Sequence, residues 1–421
     1  MKYLAIILCL GFGMENFAQN FEISAQLRPR LEYRHGFKTL FQDSEDAAVF
    51  VSQRSRLNLG YTTEKLNLYL SLQNVRIWGE VATMATADVN GTAVHEAWAE
   101  VNLNSQIAFK FGRQELVYDD ERLFGNVDWA QQARSHDALL FRFKPSAKHQ
   151  LDLGLAINAE RESIFEQEYL VNEYKSMQYL WYHTNLKNIK LSLIALNTGY
   201  AFEDDAAEQE IDYFQTFGTH LNYGKNRMKT DASLYYQTGQ LANADLSAYN
   251  ASLNATYSIS KVFSAGLGAE YISGTDMDAT NGKLESFNPL FGTNHKFNGL
   301  MDYFYVGNHI NSVGLIDLNA KLIYHNAKFS AQLVPHLFSS AATIVNSTNQ
   351  KVDDNLGTEI DLTLDYHLTK DLSFHAGYSH LFATESMETL KGGNSDATNN
   401  WAWFMINVNP SLFKTSFSKK E

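Results

Sequence analysis

Beyond residue 20 the chain alternates between apolar and polar side chains with a period of two, in one short segment after another. Such alternation sends successive side chains to opposite faces of a β-strand. Leu66, Leu68, Leu70 and Leu72 share one face, and Asn67, Tyr69, Ser71 and Gln73 the other. Ile107, Phe109 and Phe111 stand against Gln106, Ala108 and Lys110 in the same way, and Leu151, Leu153, Leu155 and Ile157 against Asp152, Gly154 and Asn158. Near the end Ala402, Phe404, Ile406 and Val408 oppose Trp403, Met405, Asn407 and Asn409. The pattern predicts a chain built almost wholly of strands. A soluble sandwich also alternates, with its polar face in water, so the period alone leaves two architectures open.

The connections separate them. Short links, such as Thr62 to Lys65, Asn104 to Ser105 and Leu186 to Lys187, take turns with long ones, such as Asp119 to Ser135, Gly199 to Glu210, Gly239 to Asp245 and Thr275 to Val313. Strict alternation of tight turns and long loops is the asymmetry of a membrane barrel with periplasmic turns and extracellular loops. A sandwich has no reason to obey it. The runs between links predict about eighteen strands in an all-β, transmembrane, antiparallel up-and-down barrel, wide enough for an aqueous channel. Closure is required because lipid offers no partner to an open sheet edge. Tyrosines near strand ends, among them Tyr33, Tyr61, Tyr118, Tyr236, Tyr257 and Tyr378, are expected to form interfacial girdles.

Composition supports this reading. Aromatic residues make up 13% of the 421 and Pro only 5, while mean hydropathy is −0.29, so the chain is strand-prone without being apolar on average. The only continuous apolar run is Tyr3 to Gly13, behind Lys2 and ahead of Ala18, which reads as a secretory signal peptide. Two regions follow: residues 1–18 as signal and residues 19–421 as one barrel domain. Cys9, the single cysteine, falls inside the apolar run, so disulfides and thiolate-bound metals are not expected in the mature chain. Alternation starts at Phe21 with no globular segment ahead of it, so transport is expected to be passive.

Net charge is −13, which argues against nucleic acid as a partner. The acid is concentrated in predicted loops such as Asp119 to Glu121 and Glu203 to Glu210. Arginine is distributed differently: of twelve, ten lie between Arg28 and Arg142. Parity with the outward set Val49, Val51, Leu57 and Leu59 sends Arg54, Arg56 and Asn58 inward, and the same argument applies to Arg28, Arg30, Arg34, Lys110, Gln114, Arg142 and Lys144. Glu22, Glu32, Glu96 and Glu100 share that interior, whereas Arg76 and Arg113 break the parity of their strands. An inward arginine row can offer planar donors to carboxylate or phosphate, or it can pair with neighbouring acids and brace the wall. Both readings stand at this point.

Neither an enzyme nor a metal or cofactor protein is expected. No P-loop, H-E-x-x-H or G-x-S-x-G motif occurs, the His residues are scattered, and Asp276 to Gly282 places its glycine one position late for a calcium loop. A barrel lipase needs only spatial proximity of Ser and His and stays as a lesser alternative. A plugged barrel acting as a surface receptor or adhesin is the other. The aromatic content of Thr275 to Val313, with Phe287, Phe291, Phe297 and Tyr303, favours packing inside the channel over solvation.

Several stretches together resemble the alginate export family of outer-membrane proteins. They are Ser52-Gln-Arg-Ser-Arg-Leu57, Leu72-Gln-Asn-Val-Arg-Ile-Trp-Gly79, Phe111-Gly-Arg-Gln-Glu-Leu116 and Asp120-Glu-Arg-Leu-Phe-Gly125, the last running on to Asp128, Trp129, Arg134 and Asp137. Phe287-Asn-Pro-Leu-Phe-Gly-Thr-Asn-His-Lys-Phe-Asn-Gly299 is also similar to that family's version. The resemblance implies an eighteen-stranded barrel in the outer-membrane lipid, with an electropositive constriction that passes an anionic oligo- or polysaccharide. It makes Arg54, Arg56, Arg76, Arg113, Arg122, Arg134 and Arg142 the constriction candidates, beside Lys110 from parity. Export and uptake remain equally open, as does any periplasmic partner.

Overall fold

In the computed structural model, residues 19–171, 173–203, 208–309 and 312–417 are described. The predicted signal segment, residues 1–18, lies outside them. The first strands are β1 (Gln19–His35), β2 (Ala48–Thr62), β3 (Leu66–Ile77), β4 (Ala93–Asn102), β5 (Ile107–Gln114) and β6 (His136–Ser146). Next come β7 (His149–Ile157), β8 (Ser176–Leu186), β9 (Ile189–Glu203), β10 (Gln209–Lys225), β11 (Met228–Leu241) and β12 (Ala244–Ser258). β13 (Phe263–Ile272), β14 (Leu315–His325), β15 (Phe329–Ser339), β16 (Asn355–His367) and β17 (Leu372–Ala383) follow. The last strand, β18, runs over Asn399–Val408 and resumes at Ser411–Phe417.

Each strand pairs antiparallel with its sequence neighbours, and β18 returns to β1, with Leu27 opposite Val408 and Ser24 opposite Ser411. Eighteen strands therefore close into a barrel with no free edge. The seam is interrupted at Pro410, which has no N–H to give the ladder. Its carbonyl still accepts from Ala25 N at 3.1 Å, and the register shifts between Ile23 and Ser24 to absorb the break.

The outward set is apolar. Leu27, Leu57, Leu68, Leu234, Leu267 and Phe404 are all exposed on the outer face, where a bilayer and not water is the solvent. Tyr33, Tyr236, Tyr257 and Tyr378 are exposed as the girdle reading requires, but Tyr118 is buried at 9% exposure. It sits past the end of β5 on a loop that turns into the lumen, so it belongs to the interior and not to a girdle.

Two long links are shorter than expected. The Gly239 to Asp245 connection is a two-residue turn, Ala242 and Asn243, both at positive φ (49° and 63°). Paired left-handed residues match the twist of the flanking strands, which is why β11 and β12 run past Gly239 in register. The 199–210 link contracts likewise to residues 204–208, because β9 and β10 pair as far as Glu203 and Gln209. Alternation of long and short links is thus broken on this side.

The apolar core sits inside the barrel. The loop of residues 115–135 (L3, between β5 and β6) and, in its described residues, the loop of residues 273–314 (L7, between β13 and β14) bury side chains in the lumen. Tyr118 and Phe124 of L3 pack on Tyr179 of β8, Tyr118 also on Trp181, and Phe291 of L7 packs on Phe124; Leu290 and Met301 are buried in the same cluster.

Candidate functional site

Residues opposite one another in an antiparallel pair point to the same face. Arg28 of β1 and Arg54 of β2 are directly opposite, so two inward guanidinium groups stand side by side. Their mutual repulsion needs an anion, and L3 brings one: Asp128 accepts from Arg28 Nη1 at 3.0 Å and from Arg54 Nη2 at 2.7 Å. Burial would raise the Asp128 pKa, but the two arginines outweigh it and hold the carboxyl below the usual range. Gln131 completes the clasp, accepting from Arg28 Nε at 3.2 Å and donating to Ser52 Oγ at 3.0 Å. Further toward the loops Glu32 accepts from Arg30 at 2.9 Å and from Arg34 at 2.8 Å, and Arg30 lies 3.9 Å from the Trp129 ring centroid.

L3 and L7 are joined to each other. Gly125 N donates to Phe291 O and Thr293 N to Glu121 O, each at 2.9 Å, while the Thr293 hydroxyl donates to Glu121 at 2.6 Å. Gly125 permits this approach, since a Cβ there would lie 2.1 Å from Thr293 Oγ1. L7 is in turn held by acids of β13, β14 and β16. Met301 N donates to Glu359 at 2.9 Å, Leu300 N to Asp361 at 3.2 Å, and Asn298 Nδ2 to Glu270 at 2.8 Å and Asp317 at 3.2 Å. The lumen is therefore crossed by a two-loop plate anchored to an arginine wall on β1 and β2 and an acidic wall on β13 to β16.

The predicted site residues divide into four groups. Arg54, with Arg28, is committed to Asp128. Arg122 of L3 ion-pairs with Glu270, donates to Asn298 at 3.1 Å and stacks on Phe297, and Arg142 of β6 is held by Asp152 and Glu100, each at 3.2 Å. Arg56, Arg134 and Lys110 lie inside with no carboxylate in ion-pair contact among the described residues. Arg56 donates Nε to Gln73 at 2.8 Å and leaves Nη2 buried without a partner. Arg134 donates to Gly292 O at 3.1 Å, and burial lowers its pKa. The Lys110 ammonium lies 3.9 Å from the Trp98 ring centroid.

Arg76 and Arg113 do not join the others. Arg76 is opposite Gln53 and Arg113 opposite Asp137, on the outward parity of their strands near the loop end. Arg76 ion-pairs with Asp88, and Arg113 with Asp137 at 2.8 Å. Their broken parity in the sequence is real placement, since a strand that leaves the bilayer can carry charge on its outer face.

Cavities lie on both sides of the plate along the β1 to β3 wall. The loop-side cavity, about 420 Å³, is bounded by Arg30, Arg34, Lys38, Trp129 and Tyr305. The turn-side hollow, about 390 Å³, is bounded by Ser24, Asn58, Gly60 and Tyr69. Two interior clusters have ligand atoms close enough to hold a cation, His95 with Glu96 and Glu115, and Asp120 with His220 and Asp231. Each already has protein partners: His95 Nε2 is 2.9 Å from Glu115, and His220 Nε2 is 2.8 Å from Asp231. A bulge between Ser71 and Leu72 in the β3–β4 register turns both His95 and Glu96 inward, which strict parity could not anticipate.

Comparison with solved structures returns outer-membrane proteins of Pseudomonas aeruginosa. OpdK with vanillate aligns with a TM-score of 0.63 at 12% identity, covering 93% of this chain and 99% of that one. OccK9 (OpdG) aligns at 0.61 and 14% identity, covering 93% and 98%, and OccK11 (OpdR) at 0.57 and 13%, covering 93% and 96%. At such identities the likeness is one of fold. No curated protein matches the chain. The family model for alginate export matches residues 19–400, nearly the whole chain. An eighteen-stranded barrel with a loop-narrowed, arginine-walled lumen, matched along its length by that model, belongs to the alginate export family and is an outer-membrane channel.

Proposed function

We propose that this channel passes anionic saccharides by passive diffusion, with Arg56, Lys110 and Arg134 as the groups that meet the solute. The observation that carries this is the incomplete pairing of the interior cations. Arg28 and Arg54 share Asp128, Arg30 and Arg34 share Glu32, Arg122 pairs with Glu270 and Arg142 with Glu100 and Asp152, so all six are held in bracing the wall and plate. Arg56, Lys110 and Arg134 have no carboxylate in ion-pair contact among the described residues, so their charge is available to a mobile anion.

One arrangement invites a hydrolase reading. Ser373 Oγ is 2.8 Å from His375 Nε2, and His375 Nδ1 is 2.5 Å from Asp365 Oδ1, the order of a catalytic triad. Ser373 is buried at 6% exposure, and β17 is laddered to β16 and β18 on both sides of it. Those backbone N–H groups are committed to the sheet and supply no oxyanion hole. This supports a channel over a barrel lipase.

The test is single-channel recording in planar bilayers with a uronate trimer, a neutral trisaccharide and inorganic phosphate as competing solutes. Uronate is expected to interrupt the current at lower concentration than either of the others. The double variant Arg56→Gln, Lys110→Gln is expected to weaken uronate block by at least about tenfold, the scale of one lost charge-assisted hydrogen bond. Equal block by the neutral sugar, or an unchanged double variant, would sink the proposal.

A further inference from the structure

Where L3 leaves β5 it brings two carboxylates against the inner face of β10 and β11. His220 of β10 is buried, at 8% exposure; its Nε2 lies 2.8 Å from Asp231 Oδ2 and 4.0 Å from Asp120 Oδ2, and its Nδ1 lies 3.9 Å from Asp119 Oδ1. Three acids, two from L3 and one from β11, thus surround one imidazole. Elsewhere in the lumen Asp128, Glu32, Glu270 and Asp152 each pair with an arginine. Among the described residues no Lys or Arg is in ion-pair contact with Asp119, Asp120 or Asp231, and even a protonated His220 leaves them in excess. Buried charge of that kind is paired or holds a metal.

The two ring nitrogens have different surroundings. Nδ1 faces Asp119, whose other oxygen accepts from the Trp181 indole N–H at 3.0 Å. That fixed carboxylate favours the proton on Nδ1. Nε2 then turns its lone pair toward Asp231 and Asp120, and a lone pair 2.8 Å from a carboxylate oxygen is repelled unless a proton or a cation lies between them. One ring nitrogen on a metal and the other on a carboxylate is the usual construction of a metal-binding histidine. Asp120 has a ligand atom to spare. Its Oδ1 accepts from Arg122 N at 3.1 Å, whereas Oδ2, the oxygen toward His220, meets no donor among the described residues. One ligand atom from each of Asp120, His220 and Asp231 lies within 4.8 Å of the other two, a spread that bonds of about 2.0–2.4 Å to a single ion can span. Asp231, 27% exposed, leaves one side open for entry from the lumen. The second interior cluster is filled differently: Glu96 accepts from Trp98 Nε1 and Glu115 N, each at 3.0 Å, and Glu115 accepts from Asn126 at 2.9 Å.

We infer that Asp120, His220 and Asp231 bind a first-row divalent cation of the zinc type, with Asp119 orienting the imidazole, and that the ion staples the start of L3 to β10 and β11. An imidazole among carboxylates selects such an ion over Ca²⁺ and Mg²⁺, which take oxygen ligands. The ion replaces any proton on Nε2, which leaves to solvent. It gives L3 a third attachment to the wall, beside the Asp128 clasp on β1 and β2 and the Arg122–Glu270 pair on β13. The staple is independent of which solute the channel passes.

Isothermal titration of the tag-free, full-length channel in detergent, stripped by a chelator and then given Zn²⁺ alone, tests the site, with Ca²⁺ and Mg²⁺ in parallel titrations. One Zn²⁺ per barrel is expected, bound at least about tenfold more tightly than either of the others. Asp119→Asn is expected to weaken it about ten- to hundredfold, and His220→Ala and Asp231→Asn at least as much, while His95→Ala leaves it unchanged. Heat-modified gel mobility confirms that each variant is a folded barrel. Anomalous diffraction at the zinc edge, from crystals of the parent channel grown with Zn²⁺, needs no variant and is expected to show a peak between His220 Nε2, Asp120 and Asp231. If the parent binds no Zn²⁺, His220 holds only a proton there and the inference falls. It falls equally if the His220 and Asp231 variants bind zinc as tightly as the parent, if the anomalous peak lies only elsewhere, or if Ca²⁺ or Mg²⁺ binds more tightly than Zn²⁺.

Discussion

At the residue scale, Asp128 decides what the arginine row can do. It is half exposed, at 51%, yet its one negative charge is shared between Arg28 and Arg54, which are almost wholly buried. Breaking a fully buried ion pair costs about 3–5 kcal/mol. With one partner half solvated, Asp128→Asn is expected to cost on the order of 1–3 kcal/mol, felt mainly as loosening of L3. The freed guanidinium pair should raise chloride-over-potassium selectivity, which a reversal potential in a KCl gradient measures. The pH dependence has a definite sign. A carboxyl whose folded pKa is depressed contributes stability above its unfolded pKa and loses it as pH falls through the lower folded value. The Asp128 clasp should therefore hold unchanged between about pH 7 and pH 5 and loosen only in stronger acid, below the ordinary carboxylate range near 4. Conductance that rises already near pH 6 would contradict this assignment.

Residue placement was legible wherever strand parity is local and unbroken. Arg54, Arg56, Lys110 and Arg142 stand inside as period two requires. Parity also flagged Arg76 and Arg113 as exceptions, and both face outward. Partners were not legible. Asp128 is a hundred residues from Arg28, and no periodicity reports which carboxylate a loop will return to a given arginine.

At the element scale, L7 behaves as a seated strap. Gly299, at φ 83°, lies against Glu359, and a Cβ there would be 2.7 Å from its carboxyl. Gly299→Val would meet both a strained backbone, costing about 1–3 kcal/mol, and the carboxyl that Met301 N uses. L7 is expected to lift from the acidic wall. Limited proteolysis should then cut within residues 273–314, and single-channel conductance should increase. A variant with parental conductance and protease resistance would show that Glu359 and Asp361 do not seat the loop. The aromatic content of this segment signalled that it packs inside. Its attachment to L3 through Gly125 and Thr293 carried no signal, because a backbone bridge between two loops has no side-chain pattern. Link length misled for the opposite reason: polar, glycine-containing stretches at 199–210 and 239–245 look like loops, yet ladder pairing extends into them as far as Glu203 with Gln209 and Leu241 with Ala244.

At the scale of the whole molecule, charge is sorted along the pore. Lys65, Lys148, Lys187, Arg227, Lys261, Lys328 and Lys370 occupy the turns, while Asp353, Glu385, Glu388 and Asp396 surround a loop-side cavity of about 1100 Å³. A polyanion should arrive faster from the turn side. Raising KCl from about 0.1 M to 1 M shortens the screening length from about 10 Å to 3 Å, so uronate on-rates from that side should fall severalfold while residence times change less. On-rates independent of salt would mean that the turn-side lysines do not steer the solute. Fixed charge changes passage in both directions by linked amounts, so the gradient and not the barrel sets net direction.

The sequence by itself determined the strand faces, a count near eighteen, the need for closure and the inward turn of most of the arginines. All of these follow from a two-residue period and from the absence of hydrogen-bonding partners in lipid, which act at every point along the chain. Only the tertiary structure decided that the lumen is crossed by L3 and L7, that Arg28 and Arg54 are held by Asp128, and that Arg56 has no carboxylate in ion-pair contact among the described residues. Those outcomes depend on where two loops return across the barrel, and spacing along the chain does not encode distance across it.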